Sequence, residues 1–177
     1  MMRKYSVVIN FALFQAAWFA VFFLQEQGML VVALAISCMV ALSPDKKNDC
    51  RFVLIGLVVA VSIEAVASGL GIIRYEGGWI PVWLIFLWAA LLFSFRESLA
   101  KLFVLTLPTR LLLVWLGAPG SYYAGQQVGL LLTIEPVWLF WVSYGGLWFC
   151  GFEVLRWLDK HPKIRREIGT SELVRTH

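Results

Sequence analysis

The chain predicts an all-α fold, a polytopic membrane bundle of about six transmembrane helices with both termini cytoplasmic. Three observations predict it. Of 177 residues, 60% are hydrophobic and 15% charged, against roughly 45–50% and about 25% in soluble domains. Apolar runs recur near the ~20 residues that carry a helix across about 30 Å of hydrocarbon. Lysine and arginine fall on alternate loops, which sets an orientation. The ~10-residue alternating segments of a membrane β-barrel do not occur.

The first run, Tyr5–Leu24, follows Arg3 and Lys4 and ends at Gln25-Glu26-Gln27 without a small-x-small site. Its apolar part exceeds the ~7–15 residues of a signal-peptide core, so it reads as an uncleaved span. Gly28–Leu42 is the second, short of the usual ~17 residues and therefore tucked against its neighbours or extended at one end. Phe52–Ile73, Trp79–Phe95, Leu99–Gly117 and Pro136–Trp157 follow. Residues 1–157 thus form a single transmembrane domain, and 158–177 a basic cytoplasmic tail.

Thirteen of the 15 lysines and arginines lie before span one, after spans two and four, and in the tail. Arg74 alone lies on the other side, with Arg110 inside span five, so the positive-inside rule places both ends in the cytoplasm. Trp79, Trp83, Trp115, Tyr122, Tyr123 and Trp138 read as an aromatic belt at the outer interface.

Charge at depth is the feature closest to chemistry. Counted from the predicted span ends at 1.5 Å per residue, Gln15, Glu64 and Arg110 come out at ~15, ~18 and ~16 Å. They form a candidate midplane polar cluster. One expectation is a Glu64–Arg110 ion pair clamping spans three and five, with Gln15 completing its hydrogen bonds. The other is a binding site for a headgroup or carboxylate, since intramembrane charges are functional by default.

Gly117, Ser121, Gly125 and Gly129 recur every four residues. Such a stripe suits close helix packing on a fifth helix that runs on past a kink at Pro119, or a re-entrant or interfacial helix lining a polar cavity. Both histidines, His161 and His177, sit in the polar tail, and Cys38, Cys50 and Cys150 lack paired spacing, so no metal site or cofactor is implied. No nucleophile–base arrangement or phosphate-binding motif points to an enzyme.

Several segments together carry a family likeness. They are Asn10-Phe-Ala-Leu-Phe-Gln-Ala-Ala-Trp18, Glu64 with Gly69-Leu-Gly71, Pro81-Val-Trp-Leu-Ile-Phe-Leu-Trp88 with Ser98, and Gly120-Ser-Tyr-Tyr-Ala-Gly125 with Gly129. In order and spacing, over about residues 5–157, the chain resembles a family of small bacterial inner-membrane proteins, domain of unknown function family 2878. The family more often has aspartate where this chain has Glu64. The resemblance implies a six-helix bacterial inner-membrane protein without an assigned activity, a partner of lipid-modifying enzymes. The expected function is a non-catalytic accessory or scaffold in envelope lipid metabolism. The alternative is a small transporter or lipid-handling protein built on Gln15, Glu64 and Arg110. Expected partners are the bilayer and a membrane protein or second copy, with no nucleic acid.

Overall fold

The computed structural model describes residues 2–161 and is all-α apart from one short ribbon. Six α-helices are present among these residues: α1 (Met2–Leu24), α2 (Met29–Leu42), α3 (Lys46–Gly69), α4 (Val82–Arg96), α5 (Leu107–Gln127) and α6 (Val137–Lys160). Three stretches are long and apolar enough to cross a membrane: Ser6–Leu42, Lys46–Gly69 and Val137–Lys160. Val82–Arg96 is a shorter apolar helix. The basic tail from residue 162 onward lies outside the described residues.

Each boundary has a local cause. A 3-10 turn at Gln25–Gly28 separates α1 from α2, with Gln25 in the left-handed region at φ 50°. Gly28 is obligatory there, because a Cβ would lie 2.5 Å from the Ala20 carbonyl oxygen. That close approach is what lets the short α2 fold back on α1. Asp45 opens α3 as an N-cap, accepting the Asn48 backbone N–H, which satisfies one of the orphan donors of the first turn. Pro81 and Pro136 stand just before α4 and α6, and Pro108 occupies the first turn of α5, where its missing N–H costs nothing.

The fifth element departs most from expectation. Its helix begins at Leu107, eight residues after the expected start at Leu99, because Ala100–Val104 is a 3-10 turn. It then continues through Pro119 to Gln127. The stretch from Gly117 is therefore largely a helix extension. A further element, invisible in the hydrophobic pattern, joins the loops beyond α3 and α5. Strands β1 (Ile73–Tyr75) and β2 (Leu131–Thr133) pair antiparallel, Tyr75 opposite Leu131. Gln126 ties β2 to α5, its Oε1 accepting both the backbone N–H and the hydroxyl of Thr133 at 2.6 Å.

Helix α4 sits at the centre, packed on α1, α2 and α3, while α6 packs on α3 and α5. The rings of Phe52, Phe95, Phe103 and Phe152 interlock where α3, α4 and α6 meet. Trp88 and Trp148 stack at 3.9 Å between α4 and α6. At the end opposite the ribbon, Arg96 bridges Asp49 at 2.7 Å and also bonds Asp159, so a single guanidinium joins α3, α4 and α6. Trp79 and Trp138 are exposed as the belt reading expects, at 85% and 65%. Trp83 and Tyr122 instead face inward.

Candidate functional site

The three residues expected in one midplane cluster occupy three different environments. Glu64 and Arg110 do not form the expected clamp. Arg110 stands in the first turn of α5, roughly 4.5 Å along the helix, whereas Glu64 lies about 27 Å along α3. Both helices run toward the ribbon, so the two charges sit near opposite ends of the bundle. The expected depths came out equal because span five was counted from Leu99 and span three from Phe52.

Arg110 donates from Nε to Glu153 Oε1 at 2.8 Å and from Nη1 to the Leu105 carbonyl. Glu153 holds Arg156 as well, at 2.6 Å. This is a three-residue network joining α5 to α6.

Glu64 is fully buried, and its partners are tyrosines. Tyr122 and Tyr144 donate to Oε1 at 2.5 and 2.7 Å, and Tyr75 donates to Oε2 at 2.6 Å. Helices α3, α5 and α6 and strand β1 thus converge on a single carboxylate. The apolar interior makes each of those hydrogen bonds costly to lose. Ser62, Ser94 and Ser143 bond to carbonyls of their own helices, and Ser98 donates to Asn10 Oδ1 at 2.6 Å.

Gln15 lies elsewhere, on the wall of a partly open cavity of about 400 Å³. Helices α1 and α5 form the two banks, with little direct contact between them, and α4 and α6 form the floor. Trp18, Trp83, Trp88, Trp148 and Phe152 supply an aromatic lining, and no charged side chain contributes. Of the small-residue stripe, Gly117, Ser121 and Gly125 line the groove, while Gly129 lies past the helix at φ 77°. The stripe therefore serves as a cavity wall more than as a helix–helix seam. A Cβ at Gly117 would meet nothing within 4 Å.

Sequence reasoning missed the three tyrosines that hold Glu64. A signal existed in Tyr144, a phenol placed well inside an apolar span, where its hydroxyl must find a partner. Tyr122 is common to both features, since it walls the groove and its hydroxyl is spent on Glu64.

Fold and site together define an α-helical membrane protein with an apolar groove beside a buried carboxylate. The chain belongs to the family described as protein of unknown function (DUF2878), whose model matches residues 7–154. No curated protein and no solved structure matches it.

Proposed function

We propose that this protein is a non-catalytic lipid-binding component of a bacterial inner membrane, an accessory to envelope lipid metabolism that holds a hydrocarbon chain in the groove between α1 and α5. In this reading six helices cross the bilayer with both termini cytoplasmic, as the positive-inside distribution supports. The groove carries the proposal. Its volume of about 400 Å³ falls at the lower end of the ~300–1,000 Å³ typical of ligand pockets, which suits one chain better than a whole two-chain lipid. Its lining has no charge to hold a phosphate headgroup, and its polar side chains Gln15, Ser121 and Tyr122 offer no activated nucleophile. The separation of Glu64 from Arg110 removes support from a transport site built of both.

The test is lipid analysis of protein extracted into native nanodiscs. Wild type should carry a chain-bearing molecule enriched over the surrounding membrane. Gly117→Phe, which fills the groove from an open position, should lose that molecule while remaining folded. A wild-type lipid profile identical to bulk membrane would overturn the proposal.

A further inference from the structure

We infer that the groove selects a chain bearing an uncharged oxygen function, such as a hydroxyl, carbonyl or ether, and that the Gln15 amide reads it near the middle of the membrane. This deepens the chain-binding reading and rests on it.

Apolar fit cannot by itself give such a groove a preferred ligand. Lipid tails are as apolar as leucine, so a saturated chain leaving the bilayer for Leu87, Leu91 or Val114 exchanges one hydrocarbon surface for another. Discrimination must come from a group that hydrocarbon cannot satisfy. The lining contains three polar side chains of that kind, and two are spent. Ser121 Oγ donates to the Gly117 carbonyl at 2.6 Å, and Tyr122 donates to Glu64 at 2.5 Å. Trp18 and Trp83 also line the groove, but an indole N–H can only donate, and the indole N–H groups of the stacked Trp88 and Trp148 are buried without a partner. Gln15 remains, with an amide that meets no partner among the described residues, on the bank opposite Ser121.

Its depth narrows the ligand class. Gln15 lies roughly 20 Å along α1, itself about 34 Å long, well away from the level of headgroups and glycerol esters. An oxygen met there belongs to the chain itself. The amide offers two donors and an acceptor, so it pairs with a hydroxyl in either sense and donates to a carbonyl or ether. Without a charge nearby in the lining, an ionised group at that depth would go uncompensated.

The experiment uses the groove's own tryptophans. A dibrominated methyl stearate bound there quenches the fluorescence of Trp18, Trp83, Trp88 and Trp148, and unlabelled esters compete with it. Wild type should be relieved of quenching at a roughly three- to tenfold lower concentration by mid-chain hydroxylated methyl stearate than by methyl stearate, the range that one net hydrogen bond supplies. Gln15→Leu should show no preference between the two esters, and Gln15→Met should behave alike. Equal competition by both esters in wild type overturns the inference and leaves chain binding standing, as does a preference that survives in Gln15→Leu. Failure of the dibrominated ester to quench at all overturns chain binding itself.

Discussion

Replacing Glu64 by alanine should be among the most destabilising single changes available in the described bundle. The substitution leaves the hydroxyls of Tyr75, Tyr122 and Tyr144 facing a small apolar void, each having lost its acceptor. A buried donor left unsatisfied costs about 1–3 kcal/mol, so three together cost about 3–9 kcal/mol, a large part of a typical ~5–15 kcal/mol stability. At roughly 2–4 °C per kcal/mol for a chain of this size, the melting temperature should fall by at least about 6 °C. The assay is thermal unfolding in one fixed detergent, followed by intrinsic fluorescence and by size-exclusion monodispersity. A companion variant separates lost hydrogen bonds from lost volume. Glu64→Leu combined with Tyr75→Phe, Tyr122→Phe and Tyr144→Phe removes donors and acceptor together, which is often close to neutral. It should recover more than half of the loss. A Glu64→Ala protein melting within about 2 °C of wild type would refute the reasoning, because three hydroxyls so buried could not then have depended on the carboxylate.

Other outcomes follow from the same contacts. A double-mutant cycle on Glu64 and Arg110 should give a coupling below about 0.5 kcal/mol, as expected for distant sites without shared partners; a larger coupling would reinstate the clamp. Arg110→Leu should lower stability by less than the ~3–5 kcal/mol of a broken buried pair, since Glu153 retains Arg156 at 2.6 Å, and denaturation in a mild detergent checks this. Arg96→Met should cost more than Arg110→Leu in the same assay, because it removes the cation from two carboxylates, leaving Asp49 with the Ser43 hydroxyl and Asp159 without its ion pair. Gly28→Ala, whose methyl would meet the Ala20 carbonyl, should destabilise the α1–α2 turn by about 1–3 kcal/mol, read as faster proteolysis near Gln25. Membrane-impermeant thiol labelling should reach Cys50 from the cytoplasmic face, and labelling from the opposite face alone would invert the proposed orientation.

The helical architecture was largely legible because hydrocarbon leaves few alternatives. A run such as Leu54 to Ala67 can satisfy its backbone only as a helix. What misled was an apolar stretch of another kind. Leu99–Leu105 has a spanning helix's composition but forms a 3-10 turn, and the better start signals were Thr106 and Pro108. Moving that start by eight residues carried Arg110 from the expected midplane to one end and gave it Glu153 as a partner. The β1–β2 ribbon was not legible, since three-residue strands are too short to show a period. Tyr75 could then reach Glu64 only through a pairing that the pattern does not reveal. Tyr122 was assigned to the interface by residue type, whereas its position on α5 turns it inward. The stripe from Gly117 to Gly125 and the polar character of Gln15 were readable. What the sequence did not contain was which bank of the groove each would occupy.

Tyr122 also bears on how the groove can change size. The α5 bank is moored three times over: by Tyr122 to Glu64, by Gln126 to Thr133 and by Arg110 to Glu153. On the facing bank, the hydrogen bond to α1 from outside that helix, among the described residues, is the one from Ser98 to Asn10, about a turn and a half from Gln15. The cleft is built like a vice with one fixed jaw. A wider or narrower occupant would therefore press first on α1, the jaw that carries Gln15 and that apolar packing on α2 and α4, more than hydrogen bonding, holds in place.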